Sequence, residues 1–121
     1  MPGCGDSMLS EQVSLAIPES KIVSIDFEPQ VVQRMQEKTK KVEYRVMDML
    51  NMGFDDKSFD IVLDKGSYDA ICCDKTTETK AKTSQYCKEI KRLINEKGKY
   101  LLVSLLQDFL LEDLLNNFSS D

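Results

Sequence analysis

The stretch Gly3-Cys4-Gly5-Asp6-Ser7, followed at once by the amphipathic run from Met8 to Ile17, holds the residues best suited to cradle a ligand. Two glycines let a backbone turn approach a ligand closely, and a helix behind them directs its N-terminal amides at that turn. Three acids then close three apolar segments: Asp26, Asp48 and Asp64. Asp26 lies about 20 residues beyond the glycine turn, the offset at which an acid in a doubly wound fold reaches a ribose diol. One acid at a strand end is ordinary, because Asp also starts turns and caps helices. Three of them in register with a G-x-G turn suit a ribose, an adenine amino group and the charged end of a ligand.

A G-x-G turn can open G-x-G-x-x-G, the fingerprint of a nicotinamide dinucleotide site. The third position here is Met8, whose bulk opposes close approach of a pyrophosphate. S-adenosylmethionine lacks a pyrophosphate and offers a ribose diol, an adenine and a zwitterionic tail, so it is the better match.

The elements that must position these residues follow from hydrophobic period. Leu9, Val13 and Ala16 or Ile17 recur at helical spacing, with Asp6 or Ser7 as cap and Pro18 as stop. Lys21 to Phe27 is a short β-branched segment of the kind buried in a parallel sheet, and it delivers Asp26. Pro29 suits the first turn of a second helix, with Val31, Val32 and Met35 inward and Lys38, Lys40 and Lys41 at its C-terminal end. Val42, Tyr44 and Val46 alternate with polar residues, as in a strand near a sheet edge, and lead to Asp48 and Met49. A turn-rich loop from Asn51 to Ser58 precedes the strand Phe59–Leu63, which ends in Asp64-Lys65-Gly66. The remainder reads as a helix over 83–94 with Tyr86, Ile90, Leu93 and Ile94 inward, stopped near Gly98, a strand over 99–106, and a helix over 107–118 with Leu110, Leu111, Leu114 and Phe118 inward. Strands alternating with helices predict an α/β fold with a Rossmann-like parallel sheet and helices on both faces, in one domain over 1–121.

Composition narrows the function. With 121 residues and 41% hydrophobic content the chain suits a globular domain, and its net charge of -5 leaves no uncompensated basic cluster for nucleic acid. No apolar stretch approaches the roughly 18 residues needed to span a bilayer, so a soluble, cytoplasmic protein is expected. Cys4, Cys72, Cys73 and Cys87 form no C-x-x-C pair and there is no His, which argues against a zinc site and for reduced, mostly buried thiols. Without His, any catalysis must rest on carboxylates, Lys, Tyr, a thiolate or positioning.

The order Gly3-Cys4-Gly5-Asp6-Ser7, Ile25-Asp26-Phe27, Asp48-Met49 and Ser58-Phe59-Asp60-Ile61-Val62-Leu63-Asp64-Lys65-Gly66-Ser67-Tyr68-Asp69-Ala70 resembles the seven-strand S-adenosylmethionine-dependent methyltransferases. More narrowly it resembles the group acting on lysines or the N-terminus of elongation factor 1-alpha, whose members show G-C-G-[NT]-S and D-K-G-T-[LW]-D-A segments. Asp6, Ser67 and Tyr68 depart mildly from those patterns. The resemblance implies that Gly3, Cys4 and Gly5 cradle the methionine tail, that Asp26 with Phe27 meets the ribose side, and that Asp48 and Met49 meet the adenine. It places Asp64 beside the methionine moiety, with Lys65 and Tyr68 facing the acceptor, and Asp64 or Tyr68 orienting the amine or passing its proton to water. The partner so implied is a protein substrate of the elongation-factor type.

The family's first strand, its N-terminal helical lid and its closing antiparallel hairpin have no counterpart in the sequence, which therefore reads as shortened at both ends. An exposed sheet edge would favour self-association. A second reading from the same residues is a noncatalytic methyltransferase-like form acting through protein contacts.

Overall fold

A computed structural model describes residues 1–2, 8–104 and 108–118; Gly3, Cys4 and Gly5 and the expected caps Asp6 and Ser7 lie outside the described residues. The chain divides into two compact units, Met1–Met49 and Leu50–Asp121. Both are mixed α/β, and both sheets are parallel.

In the first unit α1 (Leu9–Ala16), β1 (Val23–Asp26), α2 (Pro29–Lys38) and β2 (Glu43–Val46) follow in order. β1 and β2 run in parallel from Val23 opposite Glu43 to Asp26 opposite Val46, with α2 as the crossover that parallel strands require. Pro29 opens α2, where its missing N–H is no loss. Val32 and Met35 pack with Val42 and Tyr44; burying an aliphatic side chain of this size stabilises by about 1.5–3 kcal/mol. Lys40 Nζ donates to Gln36 O at 3.1 Å, satisfying a carbonyl at the helix end.

The Met1 ammonium donates to Val23 O at 2.8 Å and Met1 O accepts from Ile25 N at 3.0 Å. That is the pairing of a parallel neighbour. It falls on the edge of β1 away from β2, because Met47 N and Glu43 N bond the carbonyls of Asp26 and Ile22 on the other side.

Helix α1 departs from the expected stripe. Its buried residues are Ser10 and Ser14, while Ile17 is 46% exposed. The reason is polar: Ser10 Oγ shares a 2.6 Å hydrogen bond with Ser24 Oγ of β1 and donates to Met1 Sδ at 2.8 Å. Ser14 Oγ is satisfied by Glu11 O at 2.7 Å. Two small hydroxyl-bearing residues with local partners can face the sheet without an unpaired group.

In the second unit the order is β3 (Phe59–Lys65), α3 (Ser67–Ile71), α4 (Thr77–Leu93), β4 (Ile94–Val103) and α5 (Asp108–Phe118). β3 and β4 pair in parallel from Ile61 opposite Lys99 to Lys65 opposite Val103. Helix α4 begins at Thr77, well before the expected Thr83. Thr76 Oγ1 caps it by accepting from Thr79 N at 3.2 Å, and Asp74 Oδ1 accepts from Thr76 N at 2.9 Å. Tyr86, Ile90 and Leu93 form its buried face as expected. On α5 only Leu110 is buried, and Leu111 stands 41% exposed. No helix among the described residues is long and apolar enough to cross a membrane.

Arg92 holds the loop after Met49 against α4. Its Nη2 donates to Met52 O and Glu89 Oε2, each at 2.7 Å, and its Nη1 donates to Phe54 O at 2.6 Å and Asp56 Oδ1 at 3.0 Å. Glu89 Oε2 also accepts from Met52 N at 3.0 Å, so the loop backbone is bonded through both charges of the pair.

Gly98 does not end α4, as its place after an apolar helix suggests. The chain passes from Leu93 directly into β4, and Gly98 sits within the strand where the pairing with β3 shifts register between Phe59 and Ile61. A Cβ there would lie 2.3 Å from Ile94 Cγ2 and 2.8 Å from Asp60 O. Gly98→Ala is therefore expected to lower the unfolding free energy by about 1–3 kcal/mol, because the Asp60 backbone cannot yield as a side chain does. Urea denaturation would check this; a variant as stable as the parent would mean the bulge has room.

Candidate cofactor and transfer site

Asp26 is the last residue of β1 and is 9% exposed. Its Oδ1 accepts from Glu28 N at 2.9 Å, which fixes the carboxylate over the turn into α2. Phe27 follows and is 65% exposed. Asp48 and Met49 come two and three residues after the end of β2, Asp48 exposed and Met49 half-buried. Since Asp26 stands opposite Val46, the two acids leave the same, C-terminal end of adjacent parallel strands. That is the edge of an open α/β sheet where ligands bind.

In the second unit Asp64, Lys65 and Tyr68 gather at the C-terminal end of β3. Asp64 and Tyr68 are fully buried and Lys65 is exposed. Asp64 Oδ1 accepts from Ser67 N at 2.8 Å, while Oδ2 accepts from Tyr68 N at 3.1 Å, Tyr86 Oη at 2.9 Å and Tyr100 Oη at 2.7 Å. The carboxylate thus ties β3, α3, α4 and β4 together. Gly66, at φ 85°, makes the left-handed turn between Asp64 and α3, a conformation that costs an L side chain about 1–2 kcal/mol. Tyr68 donates its hydroxyl to Asp113 Oδ2 on α5, which also accepts from Asn117 Nδ2 at 3.2 Å. Asp69 Oδ1 accepts from Ser104 Oγ at 2.5 Å, closing the motif against the end of β4.

Burial pushes the phenols of Tyr68, Tyr86 and Tyr100 above the ordinary tyrosine value, with Asp113 adding to the shift at Tyr68 and Asp64 adding to it at the other two. They remain protonated donors throughout the neutral range. Cys72 and Cys87 are buried free thiols, raised by burial to about 11 and about 12, whereas Cys73 is exposed.

Sequence period found Tyr86 as an inward residue of α4, but the roles of Tyr86, Tyr100 and Asp113 as partners of the motif were not apparent. Asp113 carried a signal: it interrupts the apolar run on α5 between Leu110 and Leu114. A carboxylate placed there needs a buried donor, and Tyr68 supplies it.

Parallel strands with crossover helices and acids at their C-terminal ends define a Rossmann-like α/β protein. Within that class the chain belongs to the methyltransferase-domain family, whose profile matches residues 2–121. It is 39% identical over 120 residues to the "eEF1A lysine and N-terminal methyltransferase homolog" of Drosophila pseudoobscura pseudoobscura, covering 95% of this chain and 18% of that protein. It is 35% identical over 123 residues to the human "eEF1A lysine and N-terminal methyltransferase", covering 98% of this chain and 18% of that one. The chain thus spans less than a fifth of the length of these relatives. Among solved structures, a TehB-like SAM-dependent methyltransferase from Corynebacterium glutamicum superposes with a TM-score of 0.71 over 96% of this chain and 61% of that one; at 12% identity it shows the fold.

Proposed function

We propose that residues 1–121 belong to a methyltransferase domain that binds S-adenosylmethionine and serves, in the cytoplasm, methyl transfer to a lysine of a protein of the elongation-factor type. The observation that carries the cofactor reading is the pair Asp26 and Asp48 at one end of adjacent parallel strands. The donor set suits the cofactor. A carboxylate accepts about four hydrogen bonds, so Asp26 can hold a vicinal diol while keeping Glu28 N–H. Exposed Asp48 can accept from an adenine amino group, with the Met49 backbone beside the same ring and the exposed Phe27 ring next to the ribose contact. Gly3, Cys4 and Gly5 are assigned to the methionine tail.

S-adenosylmethionine supplies an activated methyl group on a sulfonium, and its transfer to an amine is accelerated mainly by alignment and desolvation. Asp64 and Tyr68 act by fixing the turn that carries Lys65, the residue assigned to the acceptor. The relatives are named as eEF1A lysine and N-terminal methyltransferases, which supports lysine of a translation factor as the substrate class.

Calorimetry tests this reading. The folded chain is expected to bind S-adenosylmethionine saturably, and Asp26→Ala to weaken binding by about 10–100-fold, the loss of a charge-assisted pair of hydrogen bonds. Absence of saturable binding by a chain shown by thermal melting to be folded would favour the noncatalytic form instead.

A further inference from the structure

We propose that Tyr86 and Tyr100 are positioning residues for methyl transfer, acting through Asp64 on the Lys65–Tyr68 turn. The inference rests on the functional reading above. Two hydroxyls from separate elements, α4 and β4, converge on the same oxygen, Asp64 Oδ2, at 2.9 and 2.7 Å. The other oxygen is held by Ser67 N at 2.8 Å, so donors on both oxygens fix the rotation of the carboxylate. The carboxylate in turn fixes the amides of Ser67 and Tyr68, the first residues of α3. Between Asp64 and these amides Gly66 takes a left-handed conformation that by itself imposes little, since glycine adopts many others. Without the two phenols Oδ2 keeps only the Tyr68 amide, and the carboxylate loses its anchors on α4 and β4, so the turn is held by its own short-range bonds alone.

The two rings are also packed, Tyr100 stacked on Phe118 at 5.6 Å between centroids and Tyr86 tilted against Tyr68 at 6.2 Å. Ring and hydroxyl therefore have separable jobs. Phenylalanine keeps the packing and removes only the donor. In chemical terms no bond is made or broken at either tyrosine; the hydroxyl protons stay where they are, and the effect on transfer is geometric.

The experiment compares Tyr86→Phe, Tyr100→Phe and the double variant with the parent chain. Hydrogen exchange of the Ser67 and Tyr68 amides, read by NMR, is expected to quicken about tenfold or more in the double variant, while amides of β1 and β2 keep their protection. With S-adenosylmethionine and eEF1A as reactants, kcat should fall about tenfold, with the cofactor Kd unchanged within about twofold, as expected when the geometry of transfer is lost and cofactor binding is kept. Unchanged exchange at Ser67 and Tyr68, or an equal rise across the whole chain, would overturn the positioning role, as would an unaltered kcat. A parent chain that binds no cofactor would overturn the functional reading, and the exchange data would still decide whether the phenols hold the turn. The single variants guard against a double variant that does not fold, since each leaves one hydroxyl on Asp64.

Discussion

Asp64→Ala should lower the unfolding free energy by about 3–5 kcal/mol and abolish methyl transfer. The carboxylate is fully buried and accepts from Ser67 N, Tyr68 N and the hydroxyls of Tyr86 and Tyr100. Alanine leaves these donors facing a small cavity, and each buried donor stranded in this way costs about 1–3 kcal/mol unless water enters. Rotation of the two hydroxyls recovers part of the sum, which is why the total stays below four full penalties. Asp64→Asn is the informative companion, since it keeps the volume but turns an NH2 group toward groups that are themselves donors. It should cost about 2–3 kcal/mol. Urea unfolding followed by circular dichroism would measure both, and a loss below about 1 kcal/mol for the alanine variant would show that the cluster is not held as the geometry indicates.

This carboxylate also shows where sequence reasoning stops. Asp64 was legible as a functional position because it closes an apolar strand and opens a D-K-G segment, both local features. Its partners come from residues 22 and 36 positions further on, and nothing in the local pattern of a helix or a strand says which tyrosine meets which acid. The β-branched segments that became β1 and β3 and the Pro29 start of α2 were readable for the same local reason. The start of α4 was not, because Thr76-Thr77-Glu78-Thr79 is poor in helix formers and its helicity depends on the Asp74 and Thr76 side chains satisfying the first amides. The inward face of α1 was misread because period counts apolar residues, and here a serine pair faces the strand. Gly98 marks a register shift between strands, a pairwise property that one strand alone does not display.

Alkaline pH is expected to unfold the second unit well before ordinary surface lysines titrate fully. In the unfolded chain the thiols of Cys72 and Cys87 lose their protons near 9.0, whereas in the folded chain burial holds them to about 11 and about 12. A raised folded value means that the unfolded chain releases its proton first. The contribution to stability is thus fully present below pH 9 and is lost as pH rises through the folded values. Each group sets a slope of about 1.4 kcal/mol per pH unit within its window. Tyr68, Tyr86 and Tyr100 add to the same trend above 10.0, their ordinary value, because burial pushes all three upward. At that slope two thiols from pH 9 to 11 and three phenols from pH 10 to 11 should together remove several kcal/mol, comparable with the roughly 5–15 kcal/mol typical of a domain. Urea midpoints at pH 7.5, 9, 10 and 11 would trace the fall, and Cys72→Ala with Cys87→Ala should flatten its pH 9–10 portion while leaving the tyrosine portion. A midpoint that stays level from pH 8 to 10.5 would contradict the assignment. The same protons matter to the site: Tyr86 and Tyr100 can hold Asp64 only as donors, so the pH at which the fold gives way is also the limit at which the Lys65–Tyr68 turn keeps its shape.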